Sequence, residues 1–167
     1  DLDRDNLPWR LRPEAAGGGK FVDMVAHVLD IVEYLFGKIE NVSGMAENYG
    51  GYYEVEDTVN AIFKTESGVM GNGIWCYVAD HDEEEMLIVG DKGRISTTGL
   101  FYGPIKVIID GQEEIIDYKE PEHVAQPYIQ TIVNELIGKE KSPADLESAA
   151  HVIKVMDDIL EDYRKRY

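Results

Sequence analysis

The stretch Gly17-Gly18-Gly19-Lys20-Phe21-Val22-Asp23-Met24-Val25-Ala26-His27-Val28-Leu29-Asp30-Ile31-Val32-Glu33-Tyr34-Leu35-Phe36-Gly37 carries the strongest periodic signal in the chain. Phe21, Val22, Val25, Val28, Leu29, Val32, Leu35 and Phe36 recur at the three- and four-residue intervals that bring side chains to one side of an α-helix. The pattern predicts a helix over residues 20–36, with Gly37 as its stop. On the opposite side, Asp23, His27, Asp30 and Tyr34 stand four, three and four residues apart and share a stripe about 60° wide. A stripe that only faces solvent is usually built from lysine and glutamate. Here it is carboxylate, imidazole, carboxylate and phenol.

That spacing is open to three readings. The residues can be surface decoration. Asp23 and His27, one turn apart, can be a metal pair with Asp30 as a third ligand. They can also be an acid–base dyad, in which Asp23 sets the tautomer of His27, a residue type that exchanges protons near neutral pH. Before the helix, residues 1–19 hold two prolines, Trp9, the basic pair Arg10 and Arg12, and the glycine triplet, which suits an ordered linker. The triplet is not a Walker A loop, because the GxxxxGK[ST] spacing is missing and Phe21 stands where Ser or Thr is needed. It is either a connector or a place where backbone N–H groups can approach an anionic or hydroxylated ligand.

Beyond Ile39 the period changes. Residues 58–63 and 69–78 read as strands around a Glu66-Ser67-Gly68 turn, and shorter strands follow at 86–89, 94–97, 105–109 and 114–118. The tight connections Gly90-Asp91-Lys92-Gly93 and Asp110-Gly111 favour antiparallel pairing. Roughly six strands are expected in one meandering sheet. Helices return at about 124–137 and from Pro143 onward, with Ser142 as N-cap and Ile153, Met156, Ile159 and Leu160 as the buried stripe. Helix, strands and helices in that order give an α+β fold with the helices on one sheet face. The strand at 69–78 puts Met70, Ile74, Cys76 and Val78 on one side and Val69, Trp75 and Tyr77 on the other. Both sides are apolar, so the second face is expected to meet another subunit or domain.

Composition narrows the function. With 33 acidic residues against 16 lysines and arginines, the net charge is −17, which leaves no basic footprint for nucleic acid or anionic lipid. No apolar run approaches the roughly 20 residues that span a bilayer, so a soluble chain is expected. At 167 residues the chain fits one domain. The single cysteine, Cys76, excludes an intrachain disulfide and is compatible with a reducing compartment such as the cytoplasm. The opening Asp1-Leu2-Asp3-Arg4-Asp5 has neither an initiator methionine nor a signal peptide, which reads as a piece of a longer protein. Gly71-Asn72-Gly73 is flanked by strand on both sides and has Cys76 where GxGxxG needs its third glycine, so it is no dinucleotide turn. Asp80-His81-Asp82-Glu83-Glu84-Glu85 lacks the alternation of an EF-hand and reads as a solvated hairpin turn.

Trp9-Arg10, Pro13, Ala16-Gly17-Gly18-Gly19, Asp23, His27 and Asp30 together resemble the GGGxxxDxxxHxxD signature in the C-terminal domain of the Gfo/Idh/MocA oxidoreductases. Glu56-Asp57-Thr58, Ser67-Gly68-Val69 and Val89-Gly90-Asp91-Lys92-Gly93 extend the resemblance along nearly the whole chain. The resemblance implies a large open, mostly antiparallel sheet, similar to the C-terminal domain of glyceraldehyde-3-phosphate dehydrogenase. It implies that residues 1–167 form a substrate-binding and oligomerisation domain, partnered by an N-terminal Rossmann domain that binds NAD or NADP. It further implies a sugar, inositol or related polyol as substrate, and a homo-oligomer joined through the open sheet face. In that family the signature histidine is the usual acid–base residue. The resemblance thus places this role on His27, with Asp23 beside it, Gly17, Gly18, Gly19, Arg10 and Trp9 near substrate and cofactor, Asp30 as a structural residue, and no metal. The family usually has glycine where this chain has Val25, which the helical wheel puts on the core side. A chain lacking the Rossmann half and its Glu-Lys-Pro lysine is expected to be inactive alone. A non-catalytic member serving in assembly or ligand sensing is the alternative.

Overall fold

The computed structural model describes residues 6–100, 102–143 and 145–166. A 3-10 turn, Trp9–Leu11, and a short helix α1, Pro13–Ala16, lead into α2, Lys20–Phe36. Both ends of α2 fall where the apolar spacing predicts. Gly17 ends α1 in the left-handed region at φ 72°, and Gly37 ends α2 at φ 82°, conformations that an L side chain resists. α2 buries Phe21, Val25, Leu29 and Glu33, an unbroken line at every fourth position. Leu35, expected on the apolar side, is half exposed because the buried line follows that i+4 ridge and bypasses it.

The strands are β1, Ile39–Glu47, β2, Thr58–Thr65, β3, Met70–Cys76, β4, Met86–Val89, β5, Gly93–Thr97, β6, Ile105–Ile109, and β7, Gln112–Ile116. All their pairings are antiparallel, as the short turns predict. At Asp110 and Gly111 both φ angles are positive, at 51° and 77°, the backbone of a tight two-residue hairpin. Helices α3, Gln126–Leu136, and α4, Leu146–Arg164, follow.

Three expectations are corrected here. The strands form two sheets, ordered β1-β2-β3 and β4-β5-β6-β7. The chain correspondingly divides into two compact units, one holding the described residues up to Asp80 and again from Asp145, the other His81–Pro143. Because β3 and β4 are edge strands of different sheets, Asp80–Glu85 is an inter-sheet connection and not a hairpin turn. The last helix begins at Leu146, not Pro143. Asp145 is its N-cap, accepting the Ser148 N–H at 2.9 Å, while Ser142 is buried and bonded to Glu135 and Thr131.

In the first unit, α2 and α4 cover one face of the β1-β2-β3 sheet. Phe21, Val25 and Leu29 meet Ala46, Val59 and Ala61 of the sheet and Val152, Val155, Met156, Ile159, Leu160 and Tyr163 of α4. Each such burial contributes roughly 1.5–3 kcal/mol for a large apolar side chain. Ile153, expected in the α4 stripe, is half exposed, since Val152 and Val155 take the inward positions. β1, the strand not foreseen, carries Gly44 at the closest approach of α4. A Cβ there would lie 2.6 Å from Ile159 Cγ2 and 2.7 Å from Ile159 O. The opposite face presents Met45, Ile62, Met70 and Ile74, all exposed.

In the second unit, α3 buries none of its residues, and the four-stranded sheet is tied locally, with Ser96 Oγ donating to Glu85 at 2.7 Å. Among the described residues no helix is long and apolar enough to cross a membrane.

Candidate functional site

Each glycine ahead of α2 is there for a different physical reason. Gly17 takes the left-handed turn, and its N–H donates to Pro13 O at 2.8 Å. A Cβ on Gly18 would meet Val22 Cγ2 at 2.4 Å, and one on Gly19 would lie 2.7 Å from the backbone carbonyl of Glu56. The Gly19 N–H donates to Glu56 Oε1 at 2.8 Å. Two of the three N–H groups in the triplet are therefore engaged within the chain, and the glycines act chiefly through close packing.

Asp23, in the first turn of α2, is half-buried. Arg10 Nε donates to its Oδ2 at 2.5 Å, and the same guanidinium lies 4.5 Å from the centroid of the Trp9 ring. The structure thus assembles Trp9, Arg10 and Asp23 into one contiguous group. His27 lies one turn further along the same face, exposed to solvent. No hydrogen bond joins it to Asp23, which accepts from Arg10, so the carboxylate is held from the side of the 3-10 turn. Asp30 is half-buried and Tyr34 fully outward. Val25, at the position where glycine is usual, is in the core, as the wheel indicates. Among the described residues no group of three or more His, Cys, Asp and Glu side chains stands close enough to hold a metal ion. Two clefts, of about 330 and 630 Å³, are lined by other residues.

Two acidic residues that spacing did not single out support this face. Asp57 is fully buried and accepts from Tyr49 N at 3.0 Å, Gly50 N at 2.7 Å and Thr58 Oγ1 at 2.9 Å. Asn48 reinforces the same loop, donating to the carbonyls of Tyr53 and Val55 and accepting from Gly51 N. Glu56, beside Asp57, reaches the glycine triplet. Burial pushes its pKa up from the ordinary glutamate value, while the Gly19 N–H, its own N–H and Arg164 pull the other way. The signal for both lay in Glu56-Asp57-Thr58 itself, two acids immediately before a buried strand, a place where carboxylates must find donors. Burial, then Asp57 and Glu56, push the Tyr53 phenol up to about 12.

The profile of the GFO/IDH/MocA C-terminal domain matches residues 1–96. The chain belongs to the Gfo/Idh/MocA family. Oxidoreductase P35 of Formosa agariphila is 35% identical over 154 residues, which are 92% of this chain and 47% of that protein. Among solved structures, aldose-aldose oxidoreductase from Caulobacter crescentus, complexed with glycerol, aligns with a TM-score of 0.81 at 18% identity, over 100% of this chain and 51% of its own. Levoglucosan dehydrogenase, in complex with NADH and levoglucosan, aligns with a TM-score of 0.80 at 16% identity, over 98% and 53%. At such identities these two structures establish the α+β fold. This Gfo/Idh/MocA chain spans about half the length of the relatives it matches.

Proposed function

We propose that residues 1–167 are the substrate-side domain of an NAD(P)-dependent oxidoreductase acting on a sugar, an inositol or a related polyol. The observation that carries this reading is the open imidazole of His27, one helical turn beyond a carboxylate, Asp23, that Arg10 holds in place. Such an imidazole is available to a ligand delivered from outside this chain. The one stretch that begins like a dinucleotide fingerprint does not form such a turn. Its Gly71-Asn72-Gly73 lies within β3, and Cβ atoms there would meet the rings of Phe63 and Trp75 at 2.3 and 2.2 Å. Trp9, Arg10 and the backbone of Gly17, Gly18 and Gly19 would border the nicotinamide, with the nucleotide itself held by an N-terminal Rossmann half.

A nicotinamide bound there would supply hydride exchange with the carbon that bears the reacting hydroxyl. His27 takes or returns the hydroxyl proton at its ring nitrogen, a role that contributes on the order of 10²–10⁴ in rate. Asp23, fixed by Arg10, accepts a hydrogen bond from a neighbouring substrate hydroxyl and stabilises the imidazolium. Trp9, stacked on Arg10, walls the approach beside Gly17, Gly18 and Gly19. The acidic surface does not oppose a neutral polyol, which is recognised through hydrogen bonds. Met45, Ile62, Met70 and Ile74 form the face through which a homo-oligomer assembles, and the enzyme works in the cytoplasm.

The test is His27→Ala in the full-length protein, assayed for reduction of NAD or NADP against sugars and inositols. Turnover is expected to fall about 10²-fold or more with little change in nucleotide binding. Near-normal turnover would remove His27 from the chemistry. One observation favours a second reading, a non-catalytic member that senses a ligand: among the described residues no side chain hydrogen-bonds the His27 ring to fix its tautomer. A full-length protein that binds nucleotide and polyol without turnover would establish it.

A further inference from the structure

Glu56 is a carboxylate placed where a charge is costly. It is 2% exposed, and burial raises its pKa. An apolar side chain of similar volume would pack there without that penalty. The geometry supplies the reason for an acid. Oε1 accepts the N–H of Gly19, the N-cap of α2, which has no side chain of its own with which to cap the helix. Glu56 therefore supplies from 37 residues downstream what the third-position Glu of a capping box supplies at other helix starts, and its carboxylate faces the positive end of the helix dipole. Arg164 Nη2 donates to the Gly17 carbonyl at 3.2 Å, so the triplet is held on both sides.

The loop that presents Glu56 is itself fixed. Asp57 takes the N–H groups of Tyr49 and Gly50 and the Thr58 hydroxyl, its own N–H donates to Glu47 O at 3.1 Å, and its carbonyl accepts from Tyr77 N at 2.8 Å. With its neighbour so bound, Glu56 cannot follow a shift of α2; the helix must start where Glu56 is.

We propose that Glu56 is a positioning residue for the signature helix, its buried carboxylate setting where α2 begins and hence how far Asp23 and His27 reach toward substrate. The proposal rests on the assignment of His27 as the acid–base group. An ångström of misplacement at such a group lowers turnover by as much as about 10²-fold without altering cofactor affinity.

The experiment uses the full-length protein. Glu56→Ala and Glu56→Gln are compared for kcat, for KM of polyol and of nucleotide, and for hydrogen exchange in the peptide spanning residues 17–24. Glu56→Ala is expected to lower kcat about tenfold or more, leave the nucleotide KM within about twofold, and speed exchange at the start of α2. Glu56→Gln, whose amide oxygen still accepts from Gly19, is expected to restore kcat to within about threefold. A kcat near wild type in the alanine variant, or a loss that glutamine does not recover, overturns the proposal. If the alanine variant does not fold, Glu56→Asp, whose carboxylate is one methylene too short to reach Gly19 N unshifted, decides: unchanged kcat overturns, and a fall of about threefold or more at constant nucleotide KM supports. Failure of the His27 assignment shows separately, as undiminished turnover in His27→Ala.

Discussion

Arg10 Nε donates to the Asp23 carboxylate at 2.5 Å, joining the turn before α1 to the first turn of α2. Both partners are partly open to water, at 50% and 28% side-chain exposure. An ion pair of that kind adds only about 0–1 kcal/mol to stability, so its value lies in where it puts the carboxylate. Arg10→Ala is therefore expected to leave the thermal midpoint nearly unchanged while lowering kcat/KM for polyol in the full-length protein by about tenfold. A drop in melting temperature with intact kinetics would reverse that assignment.

Gly44 lies under α4. In Gly44→Ala the new methyl group would contact the backbone oxygen of Ile159, which cannot rotate away, so the strand or the helix must shift. The expected cost is about 1–3 kcal/mol, read as a lower urea midpoint at unchanged m-value. A neutral substitution would mean that α4 does not pack on β1 in solution as it does here.

Glu33, in the buried line of α2, accepts from Ile39 N at 2.9 Å and lies 2.7 Å from His151 Nδ1 of α4. Its other oxygen, Oε2, is buried without a hydrogen-bond partner. Glu33→Ala strands the Ile39 N–H and frees the imidazole, and the expected loss is about 1–3 kcal/mol for the N–H alone. Denaturant unfolding of Glu33→Ala and His151→Ala, singly and together, measures the coupling; additive losses would show that the pair does not act as one unit.

Burial, more than the nearby acids, pushes the Tyr53 phenol up from its ordinary 10.0 to about 12 in the folded protein. The folded state thus retains a proton that the unfolded state releases, and the stability so gained is complete below pH 10 and disappears as pH rises through 12. Tyr53→Phe is expected to flatten this alkaline decline when unfolding midpoints are followed from neutral pH upward. An identical decline in both proteins would place its origin elsewhere.

Much of this was legible in the residues because the signals are local. The span of α2 follows from apolar spacing closed by Gly37, the β6–β7 hairpin from Asp110-Gly111, and the signature face from three- and four-residue steps. What escaped depends on partners distant in sequence. Nothing near Glu33 in the sequence marks its partner, His151, which stands 118 positions away. β1 alternates poorly because its face is shaped around Ile159, and one sheet was expected where there are two because strand patterns do not say where pairing stops. Spacing put Asp23 and His27 on one face correctly, but it could not show that Arg10 would claim the carboxylate.

The contact between Arg164 and the Gly17 carbonyl spans 147 positions. Closing a loop of that length is slow and entropically demanding, so the turn that launches α2 acquires its last restraint only after α4 has been made and docked. A ribosome-bound precursor can hold every residue of the glycine turn, Asp23 and His27 and still lack their final arrangement, which makes competence of this face a late event in the maturation of the chain.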